Sequence, residues 1–125
     1  MIQRRIFVSD TPRFRVLFHP DAFVEYRNLD GSVRKLVDDA LRRLQYRADE
    51  IGKRLGNREN SPLHGCKEIK FRKAGIRIVF FVSGRQVAIL RVVYVLAVGP
   101  RAAEKVFQTA ALRRHDMELA DSDDE

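Results

Sequence analysis

Glu68, Lys70 and Arg72 alternate with Ile69 and Phe71, and Arg77 follows the Ala74-Gly75 pair. In an extended chain, neighbouring side chains point to opposite sides. If Ile69, Phe71, Ile78 and Phe80 face a core, Glu68, Lys70, Arg72 and Arg77 share the other, more open side as a cationic cleft. Arg101, directly after Gly99-Pro100, stands where a loop turns its guanidinium toward the same cleft. This group suits a phosphodiester, because arginine forks grip phosphate oxygens in pairs and clustered cations stabilise the charge that develops during cleavage. The competing reading is a set of exposed cations with no common target.

Other reactive residue types add little. His19, His64 and His115 have no metal-ligand spacing, so no metal or cofactor is expected. His64 sits in a loop before the motif strand, where it can touch a substrate or simply be solvated. Cys66 is the single cysteine, so it forms no intramolecular disulfide; it reads as a small packed residue rather than a nucleophile, and a reducing cytoplasm fits.

Charge narrows the partner class. The formal balance is +7, but Asp116, Glu118, Asp121, Asp123, Asp124 and Glu125 all lie in the last ten residues; residues 1–115 carry 24 Lys and Arg against 11 Asp and Glu. Such an excess concentrates polyanions, which makes nucleic acid the default partner, with solubility or an acidic protein partner as alternatives.

The elements that must position these residues follow from hydrophobic spacing. At 125 residues, 45% hydrophobic and 33% charged, the chain is expected to form one globular domain. Residues 1–12 read as an N-terminal extension, with a short strand around Ile6 and too short an apolar run for a signal peptide. Phe14 to Phe18 alternates as a strand, and His19-Pro20-Asp21 opens a helix with Phe23, Tyr26 and Leu29 on its apolar side. A longer helix is expected from an N-cap at Ser32 through Leu55, burying Val33, Leu36, Val37, Ala40, Leu41, Leu44, Ala48 and Ile51.

After the polar loop 56–62 the period changes to two, giving strands over 67–72, 76–82 and 87–98, with turns at Ala74-Gly75 and 83–86. Residues 101–115 read as a final helix, and the acidic residues 116–125 as a disordered tail. The longest apolar stretch, 92–99, is far short of the roughly 20 residues that span a bilayer. The expected class is α+β: a strand, two helices, three antiparallel strands and a C-terminal helix, with the helices on one sheet face.

The run Leu63-His64-Gly65-Cys66-Lys67-Glu68-Ile69-Lys70-Phe71-Arg72-Lys73-Ala74-Gly75-Ile76-Arg77-Ile78-Val79-Phe80 resembles the central sheet motif of RelE/ParE superfamily toxins. Ala97-Val98-Gly99-Pro100-Arg101 followed by Val106-Phe107 is similar to their last strand and C-terminal helix. The likeness spans about residues 13–114, within a toxin domain read as 13–115, and implies a microbial-ribonuclease-like fold. It also implies a toxin of a type II toxin–antitoxin system that cleaves mRNA on the ribosome through 2′-hydroxyl attack on the adjacent phosphate. Lys70, Arg77 and Arg101 match catalytic positions, and Arg72, Lys73 and Phe107 are candidate RNA contacts.

Two positions depart from the family pattern. Glu68 replaces a lysine, and Phe107 replaces a tyrosine whose hydroxyl aids catalysis; a phenyl ring can stack on a base but cannot exchange a proton. Lys70 is preferred for proton transfer because the like charges of Arg72, Arg77 and Arg101 disfavour its protonated form. Glu68 is the other candidate base, or else an ion-pair partner of Lys70 or Arg72. The resemblance further implies a cognate antitoxin. The alternatives are a ParE-like, non-enzymatic inhibitor of DNA gyrase, or a degenerate RelE-fold binding protein.

Overall fold

The run Leu90–Pro100 (β5) is apolar on both sides, since every residue from Val92 to Gly99 is buried. A strand of this kind must be covered on both faces. It lies inside a five-stranded sheet, antiparallel to Ile76–Val87 (β4) on one side and parallel to Phe14–Phe18 (β1) on the other. Cys66–Phe71 (β3) and the two-residue Lys53–Arg54 (β2) complete the order β1-β5-β4-β3-β2. The computed structural model describes residues 11–56, 61–87, 90–100 and 105–123.

Pro20–Arg27 (α1) and Gly31–Arg47 (α2) cover one face, where Ala22, Val37, Ala40 and Leu44 meet Phe14, Ile78, Phe80, Val93 and Val95. Lys105–Asp123 (α3) covers the other, with Val106 and Ala110 against Cys66, Val79, Phe81, Val92, Tyr94 and Leu96. The expected placement of all helices on one face is therefore corrected, and the reason is the two-sided apolarity of β5. Pairing shifts between Val79↔Ala97 and Phe80↔Val95, so β5 carries one extra residue. This bulge sends Leu96 and Ala97 into the same α3-side core while Val95 and Val98 stay on the α2 side.

The expected start of α1 is observed: His19 is its N-cap, and its Nδ1 accepts the Asp21 N–H at 3.1 Å. In α2, Asp30 takes the N-cap place expected of Ser32, and Ser32 Oγ instead bonds the Asp30 carboxylate. The helix stops at Arg47 rather than Leu55. Lys67 Nζ donates to the carbonyls of Ala48, Asp49 and Ile51 at 3.1 to 3.4 Å, a cation satisfying the helix end. Gly52, at φ +93°, then redirects the chain into β2.

Residues 83–86 continue β4 instead of turning, with an irregular register between Val82 and Gln86; Ser83 Oγ accepts the Arg85 N–H at 2.9 Å. The Ala74-Gly75 turn is present, with Gly75 at φ +68°. The acidic segment is not a loose tail through Asp123, because α3 continues to that residue. Asp116 bonds His19 Nε2 at 3.0 Å, and Asp121 accepts from Tyr94 at 2.5 Å and Ser83 at 3.1 Å, so carboxylates that looked like solvated charge dock the helix. The expected strand at Ile6 and the start of the last helix at Arg101 lie outside the described residues. Among those residues, no helix is long and apolar enough to cross a membrane.

Candidate functional site

Alternation along β3 puts Cys66, Glu68 and Lys70 on the α3 side, and alternation along β4 puts Arg77 and Val79 there too. Register completes the arrangement: Lys70 stands directly across from Arg77, and Glu68 across from Val79 on one flank and Lys53 on the other. Two cations directly opposite in a sheet repel. Glu68 offsets this from between them, with Oε1 2.9 Å from Arg77 Nη1 and Oε2 3.8 Å from Lys70 Nζ.

Burial makes the cluster more than a surface ion pair. The Glu68 side chain is 3% exposed and that of Arg77 11%, while Lys70 at 28% is the member that reaches solvent. From the first turn of α3, Phe107 lays its ring against the Arg77 guanidinium, 4.3 Å from centroid to Cζ. The arrangement offers a carboxylate able to hold a proton, an ammonium open to a ligand, and a guanidinium fixed beside both.

The expected open cleft is thus partly roofed, because α3 lies on this face. Glu68 is an ion-pair partner of Lys70 and Arg77, not of Arg72, and the charge nearest Lys70 is a carboxylate rather than the expected ring of guanidinia. Arg72 and Lys73 lie beyond the end of β3, exposed in the turn. Arg72 still borders a pocket of about 370 Å³ with Lys70, Glu68, Lys53 and Arg43. Arg101 lies outside the described residues.

Solved structures of a bacterial toxin share this architecture. An arginine-to-alanine double mutant of E. coli toxin RelE in the free state superposes with a TM-score of 0.61 at 27% identity, covering 82% of this chain and 98% of that one. The isolated E. coli RelE toxin gives 0.56 at 28%, covering 80% and 97%. The same mutant in complex with an antitoxin RelBc peptide gives 0.56 at 23%, covering 78% and 94%, a likeness of fold alone. No protein-family model and no curated protein matches the sequence. The chain is RelE-like, with the fold of a toxin of toxin–antitoxin systems.

In this RelE-like toxin, one residue of the site escapes a reading by periodicity. Lys53 falls within the span expected as helix through Leu55, yet it is an exposed strand residue opposite Glu68. Gly52 was the available signal, since a glycine after Ile51 marks the place where the helical pattern fails. His64 is exposed, with Nδ1 3.2 Å from the Gly56 carbonyl oxygen, and it lies apart from the Lys70 cluster.

Cys66 is packed, as expected. Burial pushes its thiol up to about 11, against a partial opposing effect of the nearby Arg114 guanidinium. Relative to an ordinary thiol near 9.0, the thiolate fraction at pH 8 is about a hundredfold lower. Iodoacetamide should therefore alkylate the native toxin at least two orders of magnitude more slowly than the urea-unfolded chain. Comparable rates measured by mass spectrometry would show that Cys66 is accessible and activated.

Proposed function

We propose that this toxin is an endoribonuclease that cleaves mRNA on the ribosome, with the Glu68, Lys70 and Arg77 cluster as its centre. The observation that supports this is the direct opposition of Lys70 and Arg77 around a buried carboxylate. Apolar packing does not call for two facing cations, whereas a phosphate between them does. In the reaction the ribose 2′-oxygen forms a bond to phosphorus as the bond to the 5′-oxygen breaks, leaving a 2′,3′-cyclic phosphate and a 5′-hydroxyl. Glu68 or Lys70 takes the 2′-hydroxyl proton, water protonates the departing 5′-oxygen, and Arg77 and Arg101 stabilise the charge on the phosphoryl oxygens. Arg72 and Lys73 hold flanking phosphates, and Phe107 stacks on a base.

A cognate antitoxin belongs to this reading. An acidic or amphipathic segment complements a domain of such positive charge, and the antitoxin complex of RelE shows that fold engaged by a peptide. The site of action is the cytoplasm, where translating ribosomes present the substrate. A non-enzymatic role, whether ParE-like inhibition of DNA gyrase or binding alone, has one observation in its favour: Arg77 is nearly buried beneath a phenylalanine that lacks a hydroxyl.

Primer extension after brief induction separates these readings. Wild type is expected to create new 5′ ends within translated messages, only when ribosomes are present, and Lys70→Ala or Arg101→Ala to lose them. Growth arrest without new ends, together with gyrase inhibition in vitro, would reject the ribonuclease.

A further inference from the structure

A second cationic concavity lies away from the cleavage cluster. A pocket of about 440 Å³ opens where α2 ends and β3 begins, bordered by Arg54, Lys67, Arg91 and His64, with Leu55 and Val82 as its apolar surface. Register separates the two places. Arg54 pairs across from Lys67 while Lys53 pairs across from Glu68, so the two sets fall on opposite faces of the β2–β3 ladder.

Among the described residues, cations outnumber carboxylates around this pocket. Asp49, the single carboxylate among the lining residues, is already gripped by both arms of the Arg13 guanidinium at 2.8 and 3.3 Å. That contact holds the Asp49 carboxyl below the usual carboxylate range. Lys67 spends its donors on three carbonyls, which fixes the ammonium in place without cancelling its charge. Arg54 and Arg91 are exposed and make no ion pair among the described residues. Two guanidinium forks and an immobilised ammonium thus border one concavity, a setting that favours an anionic ligand.

We propose that this pocket binds a second phosphate of the RNA backbone, so that the toxin holds its substrate at two points on opposite faces of the β2–β3 ladder. The inference rests on the reading of the chain as an RNA-directed toxin. An acidic protein segment suits the pocket less well, because peptide docking relies on large apolar anchors, and among the described lining residues Leu55 and Val82 are the two large aliphatic side chains.

The test is the affinity of the full chain for a short single-stranded RNA with 2′-O-methyl riboses, which cannot be cleaved by 2′-hydroxyl attack, followed by fluorescence anisotropy across a salt series. The double variant Arg54→Ala/Arg91→Ala should bind about tenfold more weakly at low salt, and the slope of log affinity against log salt should fall by about 0.7 for each phosphate no longer neutralised. Arg15→Ala/Arg42→Ala, which removes the same charge elsewhere, should leave the slope unchanged.

Equal behaviour of the two double variants would overturn the pocket and leave the ribonuclease reading intact. A parallel loss of binding to a poly-glutamate peptide, with an equal slope change, would overturn the assignment to RNA. Loss of RNA affinity in a chain that cleaves no message would uphold the pocket and reject the reaction.

Discussion

Arg77→Ala is expected to lower mRNA cleavage by about 10² to 10³ and to destabilise the fold by roughly 3 kcal/mol. In the proposed ribonuclease reaction, the activity loss follows from removing a fixed guanidinium beside the reacting phosphate. The stability loss has a separate cause: Glu68 would remain a 3% exposed carboxylate whose remaining ion-pair partner among the described residues is Lys70 at 3.8 Å. Adding Glu68→Gln to Arg77→Ala removes the stranded charge, so the double variant should regain much of the stability, read from urea midpoints, without regaining cleavage. If Arg77→Ala still cleaves ribosome-bound message within threefold of wild type, Arg77 is only the counter-ion of Glu68, and the chemistry must be sought elsewhere.

Glu25→Ala is expected to cost about 2 to 3 kcal/mol, lowering the Tm by on the order of 10 °C. Glu25 joins three elements: its carboxylate takes both arms of Arg113 on α3 at 2.9 Å and accepts the Val98 N–H of β5 at 3.0 Å. The Arg113 side chain is 13% exposed and also donates to the Leu96 carbonyl at 3.0 Å, so loss of the carboxylate leaves a mostly buried cation and an unpaired strand amide. Arg113→Met, which removes the charge and keeps an apolar stem, should be the milder change. Because α3 carries Phe107 over Arg77, Glu25→Ala should also speed limited proteolysis within 105–123. A Tm within 2 °C of wild type would show that this contact does not hold α3.

Much of the architecture is legible along the chain. Alternation of Ile69 and Phe71 with Glu68 and Lys70, the glycine turn before Arg77 and the β-branched run of β5 locate the strands that carry the cluster. Pro20 after His19 locates the start of α1. The end of α2 is less legible, because Ala48, Ile51 and Leu55 preserve helical spacing past the point where Lys67, distant in sequence, takes over the terminal carbonyls. Lys53 is hidden for the same reason. The acidic residues 116–123 read as solvated from composition, yet Asp116 and Asp121 find His19, Ser83 and Tyr94, partners whose proximity exists only in the folded chain.

Local pattern determined which face of β3 and β4 carries Glu68, Lys70 and Arg77, since side-chain alternation is a property of the strand itself. It also set the strong positive balance of residues 1–115, which favours polyanionic partners. Tertiary structure alone decided that α3 crosses this face, that Phe107 covers Arg77, and that Glu68 is buried between two cations instead of facing water. The physical reason is that β5, apolar on both sides, demands cover on both, and the helix that supplies it also sets the access and charge pairing of the site.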